Sequence, residues 1–362
     1  MKRISTSTCL PAGRSGLNNK FFTFSIVNWR IFLLQTKYQI RFHFYPKKQF
    51  FKPIFAGFKK YIMTNNNVLK GVFLVGLGAS TYGMLATFVK LAYQDHFTTA
   101  EVTTAQFILG IIGVLLINFF QRIKNKNTAT KPSSKNIFQL MLAGTSLGMT
   151  SVFYYICVKY IDVSIAIVLL MQTVWMGVVL ESILDKKLPS TQKIIAVIIV
   201  LIGTFLATNL INSTSTIDFR GILWGLLSAA SFTTTMFTAN RVAPTISSAQ
   251  RSLYMLLGGA IIVFTFGVFT QNAPFNFDIF LKWGIVLSLF GTIIPPLLFN
   301  TGFPLTGIGL GSIVAALELP VSVLMAYFLL NETVIATQWI GIVLILLAIV
   351  LMNLKLTIFQ KK

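Results

Sequence analysis

Of the nine acidic residues in this 362-residue chain, Glu318 falls in the middle of a long apolar stretch. A charge near the centre of a membrane helix costs roughly 2.5–3.5 kcal/mol on insertion scales, so such residues usually face a cavity or a partner. A carboxylate there can bind a proton, a cation or an ammonium group. The bland alternative is a protonated carboxyl that bonds a neighbouring helix and only stabilises packing. Pro320, two residues on, has no N–H for the carbonyl of Ala316, so an orphaned acceptor is expected in the same turn. Glu181, the other acid inside an apolar stretch, lies about a turn from Lys186, where interfacial solvation is expected. Lys90 and Glu101 flank a short connection. They read either as a gate pair or as two side chains reaching the interface independently, Lys90 by snorkelling. Trp175, Trp224, Tyr154, Tyr155 and Phe232 suit an aromatic cavity wall or a lipid face equally.

Other chemistries lack their residues. His43 and His96 are the only histidines and Cys9 and Cys157 the only cysteines, so neither a metal ligand set nor a disulfide framework can be read, and no cofactor is expected. The apolar stretches hold no Ser–His pair and no paired Asp of the kind intramembrane hydrolases need, which argues against an enzyme. No Gly-Lys-Ser phosphate loop occurs, so ATP-driven pumping is not encoded here.

Candidate residues need elements to hold them, and composition dictates which. The chain is 55% hydrophobic and 11% charged, whereas a soluble domain is about one quarter charged. A span needs about 20 apolar residues. Ten stretches qualify: 69–92, 97–120, 137–158, 163–184, 192–211, 219–241, 248–270, 280–302, 307–330 and 337–357. Their length, without period-two alternation, points to helices rather than strands. The fold class is an all-α membrane protein of ten transmembrane helices, arranged as two inverted five-helix repeats, 63–211 and 219–357, with 358–362 as a cytoplasmic tail. An odd number of spans per half gives the halves opposite orientations.

Charge sets the orientation. The excess of +21 is uneven: residues 1–62 hold twelve Lys and Arg and no acid, leaving +9 for the rest. On one side of the bundle fall Lys70, Arg122, Lys124, Lys126, Lys131, Lys135, Lys186, Lys187, Lys193, Arg241, Arg251, Lys355, Lys361 and Lys362. The other side has Lys90, Lys159, Arg220 and Lys282. By the positive-inside rule both termini are cytoplasmic and the chain is multi-pass in the cell inner (plasma) membrane. The basic residues do not gather on a polar face, so no nucleic acid is expected as partner. The expected partners are the lipid bilayer and a small-molecule substrate; a homodimer is left open. The basic leader, 1–62, reads as a disordered or transit-like segment or as a gene-start artefact preceding Met63.

Sliding the halves by 150 residues pairs Gly71 with Gly221, Ala79 with Ala229 and Tyr82 with Phe232; sliding by 146 pairs Gln172 with Glu318, Leu184 with Leu330 and Gln192 with Gln338. Gln172 is thereby a candidate hydrogen-bonding group opposite Glu318, or a buried amide satisfied by a neighbouring helix. Pro295 and Pro296, after Thr292-Ile293-Ile294, are expected to kink or break their helix, as Pro320 is in its own. Gly144-x-x-x-Gly148 and Gly307-x-Gly309-x-Gly311 predict close helix packing. Trp283 and Trp339 are expected at the interfaces.

Tyr82-Gly83 followed by Lys90, and Leu317-Glu318-Leu319-Pro320 followed by Asn331-Glu332, together resemble the opening Trp-Gly and Lys pattern and the Glu-Pro signature of EamA-type transporters of the drug/metabolite transporter superfamily. The resemblance covers 69–357. It implies ten helices, inverted five-helix repeats, a central cavity and movement of small metabolites, often outward, and it makes Tyr82 and Lys90 candidate site residues. Gln106 stands where some members place an arginine, and Asp185-Lys186 where the family has Gly-Glu. The expected function is a secondary transporter moving an amino-acid-like or amphipathic metabolite, by efflux and alternating access. The alternatives are a sugar-phosphate or nucleotide-sugar exchanger, or a passive channel.

Overall fold

The computed structural model describes residues 66–124, 132–161, 163–208, 218–331 and 333–353, all within one compact unit. The leader 1–62, Glu332 and the tail 358–362 lie outside the described residues. Among the described residues the chain is helical, with no strand: α1 Asn66–Gln94, α2 Thr99–Lys124, α3 Ser134–Tyr160, α4 Val163–Leu170, α5 Thr173–Asp185, α6 Thr191–Ala207, α7 Phe219–Arg241, α8 Ser248–Thr270, α9 Ile285–Ser288, α10 Ile294–Thr306, α11 Ile308–Ala315, α12 Glu318–Leu329 and α13 Ala336–Asn353.

Eight runs are long and apolar enough to cross a membrane, and they include Ile165–Asp185, Phe280–Thr306 and Ile308–Leu329, each assembled from shorter pieces. The stretches expected at 192–211 and 337–357 are shorter apolar helices, Thr191–Ala207 and Ala336–Met352. The chain is a multi-pass membrane protein. For position, the eight long runs and the two shorter apolar helices are called spans one to ten in chain order. The end carrying the 124–134, 185–191, 241–248 and 306–308 connections is called the basic end.

Polar side chains at the turns start the helices. Ser133, Ser190, Asp218 and Ser247 accept backbone N–H groups at the beginnings of α3, α6, α7 and α8, satisfying donors that have no carbonyl a turn back. At α2, Thr98 Oγ1 accepts the Glu101 N–H at 3.2 Å while Glu101 accepts the Thr98 N–H at 2.7 Å. This is a reciprocal capping box.

The two shorter helices lie antiparallel and grip each other reciprocally. Gln192, at the start of α6, donates to the carbonyl of Leu351 at the end of α13. Gln338, near the start of α13, donates to the carbonyl of Ala207 at the end of α6, at 3.1 Å. These are the glutamines that the 146-residue slide superposes. The repeat-related Tyr82 and Phe232 also meet, edge to face, with ring centroids 6.2 Å apart.

Elsewhere α3 packs along α7 and α8, α1 along α10 and α12, and α2 along α8. A side chain at Gly144 would collide with the Met255 backbone, and one at Gly148 with the Gly259 carbonyl, as expected for close helix approach. The prolines of span eight widen the helix instead of breaking it. Two π-helical turns, Phe280–Gly284 and Leu289–Ile293, precede Pro295 and Pro296 in the first turn of α10. Extra residues per turn absorb the two missing N–H groups.

A carboxylate at the break of span nine

Spans four and nine are each interrupted near their middle. In span four, α4 and α5 are separated by Met171-Gln172, where the Gln172 N–H bonds the Leu169 carbonyl at 3.1 Å and the Val174 N–H bonds that of Met171 at 3.1 Å. In span nine, α11 and α12 are separated by Ala316-Leu317, with the Leu317 N–H on Val314 at 3.1 Å and the Leu319 N–H on Ala316 at 3.2 Å. Both are single tight turns with i to i−3 bonding. They corrected one expectation: the Ala316 carbonyl, deprived of its usual donor by Pro320, takes the Leu319 N–H and is not left unpaired.

Glu318 opens α12, at the centre of span nine. Its backbone is held against α1 at Gly83, where any side chain would collide with the Glu318 carbonyl oxygen and lie 3.0 Å from Val321 Cβ. Glycine is required there by close approach, and the neighbouring Tyr82 is thereby set beside the carboxylate. The Glu318 carboxylate acts electrostatically on the hydroxyls of Tyr82 in α1 and Tyr154 in α3. Tyr82 is backed by Phe232 and by Phe299, whose ring centroid is 5.6 Å away. Glu318 is half-buried and makes no hydrogen bond or ion pair among the described residues. Its oxygens are not sealed in, since the buried partnerless side-chain oxygens among the described residues are Thr204 Oγ1 and Asn300 Oδ1. Among the described residues the site is a half-buried, unpaired carboxyl within electrostatic reach of two phenol hydroxyls, one of them backed by aromatic rings.

The other candidates disperse. Gln106 is buried in α2, its amide laid over Gly291 in the second π-helical turn, and its carbonyl accepts from Thr292 Oγ1 at 3.0 Å. Gln172 turns back on its own helix: its Nε2 donates to the Val168 carbonyl at 3.0 Å, and its Oε1 accepts Trp175 Nε1 at 2.9 Å. Trp175, 38% exposed, shares an exposed stripe with Val179 and Ile183. Glu101 is buried, and beyond the capping box it accepts the Gln271 amide at 3.1 Å and the Asn276 N–H at 2.8 Å. Its oxygens therefore staple α2 to the connection after α8. Lys90 is exposed on α1, two turns beyond Gly83. Pro320 is buried within α12, and Pro295 and Pro296 within α10. Trp283 donates to Asp95 at 2.8 Å.

Two residues have roles that their place in the sequence concealed. Arg251, counted above as a loop charge, is 1% exposed and donates to the carbonyls of Val242 (3.1 Å), Asn300 (2.8 Å), Thr238 (2.9 Å) and Ala239 (2.7 Å). It closes the last turn of α7 and takes the carbonyl that Pro304, inside α10, leaves without a donor. An arginine one turn into a helix that faces a proline four residues after an asparagine was the available signal. Glu181 pairs with Lys193 and presses its carboxylate against Gly307 and Gly309 at the start of α11.

The basic halves of the broken spans are thus fastened together. Ser312 of α11 donates to the Val174 carbonyl of α5 at 3.1 Å, a Cβ at Gly177 would lie 2.7 Å from Ser312, and Asp185 pairs with Arg241. The packing of α12 runs instead to α1. A groove between α3 and α7, lined by Leu142, Ser146, Ser231 and Thr234, shares no residue with the Glu318 site.

Comparison with known proteins gives the chain a sequence match and a structural one. The sequence model of the EamA-like transporter family matches twice, over residues 69–209 and 219–354. A solved crystal structure that is 13% identical covers 77% of this chain and 98% of its own, with a TM-score of 0.64, and so shares the fold. None of the curated proteins compared with the chain matches it.

Proposed function

This chain belongs to the EamA-like transporter family, and from that premise we propose that it is a secondary transporter moving a small metabolite outward across the cell membrane by alternating access. Ten helices in two inverted halves would rock about the middle of the bilayer, with both termini in the cytoplasm. The observation that carries this reading is Glu318: a half-buried carboxyl, without a partner among the described residues, at the break of a central span. Such a group costs free energy unless something binds it, and broken helices near the midplane are where transporters place their sites. Alternating access is supported by the asymmetry of spans four and nine, whose basic halves α5 and α11 are joined through Ser312, Gly177 and Glu181. In such a cycle α5 and α11 would separate to expose Glu318 toward the basic end.

The test is metabolite export from a deletion strain against an overexpressing one, followed by counterflow in proteoliposomes of the compound that differs. Preloaded substrate should accelerate uptake. Uptake indifferent to preloading would make the protein a channel, and unchanged export would remove the transport reading.

A further inference from the structure

The charge distribution of the bundle narrows what Glu318 receives. Between Lys70 and Lys90, Glu101 and Arg122, Lys135 and Lys159, Lys193 and Asp218, Arg220 and Arg241, and Lys282 and Glu318, the sequence carries no charged residue at all. Glu318 is therefore the one charge at mid-span. The cation buried within the bundle, Arg251, is already spent on four backbone carbonyls at the basic end. Lys90 is exposed, two turns away along α1.

Helix termini often replace cationic side chains as carboxylate receptors, because the first N–H groups of a half-helix lack partners. Here the N–H groups of Gln172, Val174, Leu317 and Leu319 around both breaks bond carbonyls one tight turn back. Neither a lysine or arginine nor any of these four N–H groups awaits an anion near Glu318. What lies near it is suited to positive charge: the phenol oxygens of Tyr82 and Tyr154 can accept hydrogen bonds, and the Tyr82 ring, backed by the buried Phe232 and Phe299, offers a π face or edge. Aromatic faces stabilise an adjacent cation, most strongly where water is scarce.

We propose that the site selects a small organic monocation, an ammonium group on an apolar body, over a zwitterion or an anion of the same shape. The ammonium pairs with Glu318 and donates to the tyrosine hydroxyls, and the apolar body lies against the Tyr82 ring. A zwitterion would bring its own carboxylate beside that of Glu318, in a site where no lysine or arginine among the described residues stands to receive it. This assignment rests on Glu318 being the substrate site.

Three probes with one body isolate the charge: 2-phenylethylamine, phenylalanine and 3-phenylpropionate, each titrated against the purified full chain by calorimetry. The expected order is amine first, about tenfold or more tighter than the zwitterion, because a charge-assisted hydrogen bond is worth that much. Glu318→Gln should weaken the amine about tenfold or more, with the unliganded melting temperature unchanged, since the carboxyl makes no hydrogen bond among the described residues that the substitution could remove. Equal or tighter binding of phenylalanine or 3-phenylpropionate, no binding of the amine, or amine binding indifferent to Glu318→Gln would each overturn the assignment. If phenylalanine shows counterflow while the amine does not bind, the carrier reading stands and this one falls. Failure of the export comparison removes the carrier reading itself.

Discussion

Gln172 and Glu318 stand one step out of register at two similar helix breaks: Gln172 closes the break of span four as Leu317 closes that of span nine, and Glu318 follows as the first residue of α12. The turns have nearly the same backbone geometry, with φ/ψ of −59°/−18° at Gln172 and −59°/−20° at Leu317. The side chains behave in opposite ways. An amide can donate, so Gln172 caps the Val168 carbonyl of its own helix and takes Trp175 as a donor in return. The Glu318 carboxyl makes no such bond and is unpaired among the described residues. One break thus carries a side chain that satisfies itself, and the other a carboxyl that does not.

Replacing Glu318 by Gln should erase that difference. Its amide would fold back on a carbonyl of the preceding turn, and transport in proteoliposomes should fall by about a hundredfold, the scale of removing one partner of a buried charge pair. Transport within a few fold of the parent would show that the carboxylate is not the working half of the comparison. Next in size, Gly83→Ala forces α1 and α12 apart at the Glu318 carbonyl. Overpacking of this kind costs about 1–3 kcal/mol, to be read as a lowered melting temperature in detergent together with reduced transport. An unchanged melting temperature would mean that the close approach is not rigid.

Gln172→Ala probes the satisfied break. The Val168 carbonyl and Trp175 lose a partner, so stability should drop by about 1 kcal/mol while transport at saturating substrate stays near the parent level. A loss comparable to that of Glu318→Gln would place Gln172 in the site after all. The smallest effect is expected from Pro320→Ala. Span four breaks without a proline, and the Ala316 carbonyl already has Leu319 as donor, so transport and melting temperature should move little. A large gain in stability with loss of transport would instead show that Pro320 holds the break open.

Much of this was legible in the residue order, and the limits have physical causes. Apolar length marks the spans, because a bilayer requires every backbone group to be satisfied within its own helix. Glu318 stands out for the same reason, as a charge far from any other. The break in span nine announced itself through Pro320, but the matching break at Met171-Gln172 has no such marker and emerges from packing. Glu101 carries a Thr-x-x-Glu capping signature, which outweighs a gate reading once Gln271 and Asn276 are seen beside it.

The sequence by itself determined a multi-pass helical membrane protein of repeated halves with a single mid-span charge, since hydropathy, charge placement and periodicity are local properties of the chain. Only the tertiary structure decided which polar groups are already spent. Arg251 is consumed by carbonyls from α7 and α10, Gln172 by its own helix, Glu181 by Lys193 and the start of α11, and Glu318 by none of the described residues. Whether a donor finds its acceptor depends on helices far apart in sequence, and no window of residues contains that information.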